Sequence, residues 1–325
     1  MNRRRLGKSE LVITPLGLGT WAIGGGDWIL GWGPQNDSDS IATIRRAIEL
    51  GINWIDTAGV YGLGRAETII ARTLREIPRV ERPYIFATCG LVWDELGNVR
   101  HDLTPDSIRR EAEASLRRLG VEAIDLYQLG WPVWPETSSS PSEKPLEGAW
   151  ITMQSLQREG KVRLIGASNC DHAQLTYLQR IAPVTSLQAP YSLLRREIEN
   201  NTLPFCVNHE IGVLAYSPMQ SGLLTGAMTP DRISTLPHND WRRWNTRFHE
   251  PMLSRALEVV DRVRDVGTRY GRTPAEVAIA WTLRDGAVTA AIVGARRPRQ
   301  VDELVGAASF TLDAIDIEEL ERTPI

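Results

Sequence analysis

Lysine is nearly missing from this chain. Of 37 basic residues, only Lys8, Lys144 and Lys161 are lysine, and none of them ends an apolar strand-like run. Schiff-base chemistry, which needs a lysine amine at a strand end or in a pocket, therefore has no good carrier. Cysteine is also scarce. Cys89, Cys170 and Cys206 lie far apart without CxxC or Cys/His spacing, which excludes a disulfide framework and a zinc site and implies reduced thiols in a cytoplasmic protein. No run of about eighteen apolar residues occurs to span a membrane, and the opening MNRRRLGKSELVITPLGLG has basic residues but no apolar stretch of a secretion signal. A net charge of -3 leaves no electrostatic footprint for nucleic acid or an anionic membrane. His101, His209, His238 and His249 fall in expected loops or helix ends without metal-ligand spacing, so no metal is expected; His172 alone follows a strand end. GxGxxG after the first strand and a P-loop lysine are absent too.

What remains is the composition of a globular protein able to bury a large core, 42% hydrophobic and 24% charged over 325 residues. Arg3–Leu6 and Val12–Thr14 alternate around Gly7-Lys8-Ser9, the pattern of a hairpin. A glycine-rich segment, Gly17 to Gly26, follows. Short apolar strands then alternate with helices. The spacing predicts strands at Asn53–Asp56, Tyr84–Thr88, Ile124–Leu129, Val162–Gly166, Val184–Gln188, Val213–Tyr216 and Thr289–Val293. Helices are expected from Asp37 to about Leu50, Arg65 to Ile77, Thr104 to Leu119, Leu146 to Glu159, Asp171 to Ile181, Glu197 to His209, Leu253 to Tyr270, Pro274 to Leu283 and Pro298 to about Val305. Eight strand–helix units without a composition break imply one domain over residues 1–325. The fold class expected is α/β, a (β/α)8 TIM barrel with an N-terminal β-hairpin closing the bottom; an open doubly wound sheet is the alternative.

The chemistry-bearing stretch is GINWIDTAGVYG, Gly51 to Gly62. An apolar strand ends there on Asp56, and Tyr61 sits in the following loop, a carboxylate and hydroxyl suited to proton transfer. Taken alone, such a pair is more often packing beside a helix-initiating loop. In a barrel, however, Asp56, Thr88, Gly130, Ser168, Asn169, Gln188, Ser217 and Gly294 all fall at strand ends and converge on one mouth.

Several motifs in order then resemble the aldo-keto reductase superfamily across essentially the whole chain, in its bacterial branch of general aldehyde and ketone reductases. They are GLGTW (Gly17–Trp21), INWIDTAGVYGLGRAE (Ile52–Glu67), IDLYQLGWP (Ile124–Pro132), GASN (Gly166–Asn169), SLQAPYSLL (Ser186–Leu194), AYSPMQSGLLTG (Ala215–Gly226) and IVGARRPRQVDE (Ile292–Glu303). The resemblance implies NADPH bound in extended form across the mouth, beside Thr20 and Trp21. Ser168, Asn169 and Gln188 would hold the carboxamide and Tyr191 would stack on the nicotinamide. Ser217, Met219, Gly222 and Leu223 would form the pyrophosphate loop, with Gly294 beside them. Arg296 and Arg297 would take the 2′-phosphate, where a guanidinium fork suits phosphate, and Gln300 and Glu303 would meet the adenosine. Leu304 replaces an asparagine that relatives place on adenine.

The family's catalytic group is Asp, Tyr, Lys and His. Asp56 and Tyr61 match; Thr88 stands where the lysine would be and Gly130 where the histidine would be. Gly59 and Ala189 are also smaller than expected near the nicotinamide. Without the ammonium, Tyr61 should titrate at or above about 10 and a desolvated Asp56 should be raised. Loss of the general-acid group is worth about 10²–10⁴-fold, so carbonyl reduction is expected to be impaired. Three readings stay open: an impaired NADPH oxidoreductase, a pocket rebuilt by evolution or by design for non-redox chemistry such as proton abstraction by Asp56, and a non-catalytic NADPH- or ligand-binding protein. Trp21, Trp28, Trp32, Trp93, Trp131 and Trp134 imply an aromatic wall, hence a hydrophobic or aromatic carbonyl compound as the small-molecule partner.

Overall fold

A computed structural model of the chain describes residues 1–130 and 143–322. The N-terminal hairpin pairs β1 (Arg4–Arg5) with β2 (Val12–Ile13), Arg4 opposite Ile13. Eight parallel strands close into a barrel in the order β3 (Leu16–Gly19), β4 (Trp54–Ala58), β5 (Tyr84–Cys89), β8 (Ile124–Leu129), β9 (Val162–Ser168), β10 (Ser186–Pro190), β11 (Gly212–Tyr216) and β12 (Val288–Gly294). A second small hairpin, β6 (Leu91–Trp93) with β7 (Val99–His101), interrupts the connection after β5. The expected (β/α)8 barrel is therefore the fold.

The helices outside the barrel are α1 (Asp37–Glu49), α2 (Arg65–Leu74), α3 (Pro105–Leu119), α4 (Glu143–Arg158), α5 (His172–Ile181) and α6 (Thr202–His209). They continue as α7 (Pro230–Ser234), α8 (Met252–Tyr270), α9 (Pro274–Thr282), α10 (Pro298–Val305) and α11 (Ala314–Glu321). Their boundaries follow local chemistry. Thr104 caps α3 by accepting from the Ser107 amide, Pro105 occupies the first turn, and Gly120 ends the helix with φ 65°. Thr273 and Glu276 cap α9 reciprocally. The helix expected over Glu197–His209 breaks into a 3-10 turn, Glu197–Glu199, and α6, and the one expected to reach Ile77 ends at Leu74. The β6/β7 hairpin and α11 were not foreseen.

Alternation along the strands sorts residues into two layers. Outward side chains such as Ile55, Ala87, Tyr127, Leu129 and Val213 join the core beneath the helices. Inward ones, Trp54, Phe86, Leu126, Leu214, Ala290 and Ile292, fill the barrel, and Leu6 and Ile13 from the hairpin seal its bottom. Trp54 and Phe86 lie 4.8 Å apart, and the Trp54 indole donates to the Thr14 carbonyl at 3.0 Å. The room for Trp54 comes from Gly17, where an added Cβ would fall 2.2 Å from the indole ring.

Gly17→Ala should therefore overpack the barrel by about 1–3 kcal/mol and lower the melting temperature by several degrees. A melting curve superimposable on the parent would show that the floor is looser than this contact indicates.

Candidate active site

Two residues further up the strands, the inward positions change from apolar to polar. Asp56, Thr88, Gln128, Ser168 and Gln188 form this layer, all 5% exposed or less, and Tyr216 completes it from the end of β11, packed against the barrel interior. The parity that drives Trp54 and Phe86 inward drives Asp56 and Thr88 inward too.

Asp56 is fixed from both sides. The Thr20 amide and hydroxyl donate to its backbone carbonyl at 3.0 and 2.9 Å. Its carboxylate accepts from Gln188 Nε2 at 2.6 Å, the only side-chain donor to it among the described residues. Burial pushes the carboxyl up to about 7, and the Gln188 amide opposes the shift without cancelling it. Tyr61 is 8% exposed and lies against Trp28 and Trp21, ring centroids 6.2 and 6.4 Å away. Burial raises its phenol well above the ordinary value, and the neighbouring Asp56 and Tyr216 raise it further. The sequence-based expectation for both groups is met.

The described lysines are elsewhere, Lys8 on Glu210 and Lys161 on Glu113 and Glu159. Thr88 instead receives Gln128 Nε2 at 3.5 Å, a long contact, while the buried Gln128 Oε1 has no hydrogen-bond partner. Gly130 is tighter than its size suggests. A Cβ there would meet Thr88 Cγ2 at 2.6 Å and the Cys89 carbonyl oxygen at 2.7 Å, so a larger residue needs the backbone to move.

The residues expected around a cofactor divide into those at the mouth and those set back from it. Asn169 donates to Ser168 Oγ at 3.2 Å, Ser168 to Gln188 Oε1 at 3.4 Å, and Tyr216 to Asn169 Oδ1 at 2.8 Å. This polar row joins Asp56 through Gln188. Tyr191 is not at the mouth. It is fully buried beside Trp281, its hydroxyl bonded to Glu199 at 2.6 Å and accepting from Arg284 at 2.7 Å. Tyr216 presents the ring there, and the inward alternation of Leu214 and Tyr216 could have identified it from the sequence.

Ser217 has φ 54°, and Gln220, Ser221 and Gly222 are also left-handed; the Gln220 and Gly222 amides close this turn on the Ser217 and Met219 carbonyls at 2.9 and 3.1 Å. Met219 precedes that 3-10 segment and Leu223 is buried within it. Gly294 faces open space, with nothing within 4 Å of an added Cβ. Arg296 is lowered by burial first and then by Arg242, Arg297 and Arg65, with Asp240 opposing. Mutually repelling guanidinia beside a run of left-handed backbone suit a phosphorylated dinucleotide, so the residues present fit the group. Arg296 already serves Gln35 at 2.7 Å and the Pro34 carbonyl. Gln300 accepts from the amides of Arg296 and Arg297 at 2.8 and 3.2 Å, Glu303 pairs with Arg299 at 2.8 Å, and Arg297 approaches Asp39 at 4.0 Å.

The aromatic wall forms in part. Trp21 stacks on Trp241 at 5.3 Å and meets Trp32 edge-on at 5.4 Å, while Trp93 sits under Arg118 on the small hairpin. Trp131 and Trp134 lie outside the described residues. His172 opens α5 on the exposed side. Cys89, Cys170 and Cys206 are free and buried. Among the described residues there is no group of three or more His, Cys, Asp or Glu able to hold a metal, and no helix is long and apolar enough to cross a membrane.

A closed parallel barrel carrying a buried Asp and Tyr at its C-terminal mouth, with a polar row and a cationic rim, defines a barrel oxidoreductase of nicotinamide type. The model of the aldo/keto reductase family matches residues 15–323, and the chain belongs to the aldo-keto reductase family, whose members act on small carbonyl compounds with a nicotinamide cofactor. It is 34% identical over 326 residues to the NADH-specific methylglyoxal reductase of Escherichia coli (strain K12), covering 97% of this chain and 96% of that one. It is also 34% identical over 306 residues to the aldo-keto reductase YhdN of Bacillus subtilis (strain 168), covering 94% and 88%. The glycerol dehydrogenase structure from Gluconobacter oxydans superposes with a TM-score of 0.84 at 35% identity, over 98% of this chain and 94% of that one.

A carboxyl whose folded pKa lies above its unfolded value stabilises the fold fully below the unfolded value, near 4, and loses that contribution as pH rises through about 7. Asp56→Asn should therefore gain in melting temperature relative to the parent between pH 5 and pH 8, with little difference at pH 4. A gap that stays constant or narrows with rising pH would contradict the raised carboxyl.

Proposed function

We propose that the chain is a nicotinamide-dependent reductase of small carbonyl compounds, with NADPH preferred, whose proton-transfer step is slow because it runs without a lysine or histidine. The observation carrying this reading is Asp56, buried at the mouth beside Tyr61 and bonded to an amide instead of an ammonium. A bound nicotinamide would supply the hydride. Tyr61 remains the hydroxyl able to protonate a carbonyl oxygen, but its raised pKa makes it a weaker acid than a phenol beside a cation. Losing such assistance costs about 10²–10⁴-fold. Ser168, Asn169 and Tyr216 would orient the ring end of the cofactor, with Gln188 shared between it and Asp56. Arg296 and Arg297 support NADPH over NADH, since a 2′-phosphate is the anion a guanidinium pair would select; the name of the Escherichia coli relative makes this preference a point to be measured. A second reading, proton abstraction at Asp56 in a rebuilt pocket, is favoured by that carboxyl's value of about 7, suited to a base at neutral pH.

NADPH should quench the tryptophan fluorescence at lower concentration than NADH, and reduction of a reactive aldehyde should be measurable but slow. Binding without oxidation would favour the second reading. Thr88→Lys should raise the reduction rate by about 10²-fold or more by giving Asp56 and Gln128 Oε1 a cation. An inactive Thr88→Lys protein that still binds NADPH would refute the assignment of that position. Adding Gly130→His should lower the melting temperature because of the Cys89 carbonyl contact.

A further inference from the structure

A second cavity, about 280 Å³, lies between α3 and the loops after β4 and β5. Arg100, Arg110 and Arg118 line it together with Glu111, Trp93 and Thr88. Gly59 contributes to the same wall; a Cβ there would come within 2.9 Å of the Arg118 guanidinium, so a larger residue would crowd the cation.

The charges do not cancel. Arg100 pairs with Asp102 at 2.8 Å and Arg118 with Glu67 at 2.5 Å. Arg110 has no ion-pair partner among the described residues. Glu111 Oε2 accepts from the Gly90 amide at 3.0 Å, and the Ser107 side chain also bonds the carboxyl. Burial pushes this carboxyl up to about 8, with the Gly90 amide opposing, so at neutral pH it is an acid able to donate a hydrogen bond. Of the three guanidinia lining the cavity, two are paired with carboxylates and Arg110 is left over. Its apolar lining is the Trp93 ring with Val92 and Ala114.

We propose that this cavity is a binding site for a small organic monoanion, an aromatic carboxylate fitting it best, held by Arg110 and the flanking Arg100 and Arg118 against the Trp93 ring. The carboxylate would face the guanidinia and its second oxygen would accept from Glu111. Thr88 and Gly59 carry the site to the edge of the catalytic mouth, so its occupant is the acidic arm of the carbonyl substrate, an assignment that rests on the reductase reading above.

The site is tested without cofactor or turnover. Benzoate titrated into the protein should bind saturably by calorimetry and perturb the tryptophan fluorescence, and the isosteric neutral amide, benzamide, should not. Arg110→Ala should weaken benzoate about three- to tenfold, and added salt should weaken it further. Affinity should fall as pH rises through about 8 and Glu111 ionises, and Glu111→Gln should remove that dependence. The other acids facing the cavity, Asp102 and Glu67, are paired with arginines, and Cys89 and Tyr127 behind Glu111 are raised well above their ordinary values by burial. His101 shares the hairpin of Arg100. No saturable binding, equal binding of benzamide, or an unchanged Arg110→Ala protein would overturn the site. In turnover, a lower KM for 4-carboxybenzaldehyde than for benzaldehyde, lost in Arg110→Ala, supports the substrate arm. Benzoate binding with equal KM values would overturn that assignment and leave a separate anion site.

Discussion

The hydrogen bond between Gln188 and Asp56 is the constraint on which the mouth of this barrel depends. A carboxylate in that layer is cut off from water, and an amide returns only part of the lost solvation. The carboxyl therefore titrates near neutrality, and Tyr61, beside it, loses acidity instead of gaining it. Gln188 is committed by its amide to Asp56, and Ser168, Asn169 and Tyr216 line up behind it. The buried Gln128 oxygen in the same layer also lacks a hydrogen-bond partner.

The mouth can carry this cost because the barrel's stability is generated elsewhere. Trp54, Phe86 and Leu126 fill the lower interior, the hairpin residues Leu6 and Ile13 close it, and the outward faces pack under the helices. Strand parity connects the two regions. The same inward-facing rows that supply the apolar floor also supply the polar layer above it, so the chemistry sits on rigid strand ends while its specificity is set by the loops.

Arginine takes up much of the cationic work that lysine leaves open. Guanidinia remain charged throughout the accessible pH range, so the rim around Arg242 and Arg296 and the cavity around Arg110 are permanently positive. The groups whose charge changes near neutrality are buried acids, Asp56 at the mouth and Glu111 in the adjoining cavity. Both respond to desolvation, and both stand beside positions where the chain carries a small side chain.

The order of strands and helices, the closing hairpin, and the placement of Asp56 and Tyr61 together at the mouth were legible in the sequence, because hydrophobic period, caps and turn residues are local. That Thr88 and Gly130 fall at strand ends on the same mouth was legible for the same reason. Which partner each group finds was not. Gln188 is 132 positions from Asp56, and no local pattern says that its amide turns to the carboxylate. The place of Tyr216 at the mouth, by contrast, was within reach of strand parity, since Leu214 and Tyr216 alternate inward. Gly130 reads as open space in sequence, but the fold brings the Cys89 carbonyl against it. The arginine cavity joins residues from two connections of the barrel, those after β4 and β5. These are contacts between distant segments, and only closure of the barrel decides them.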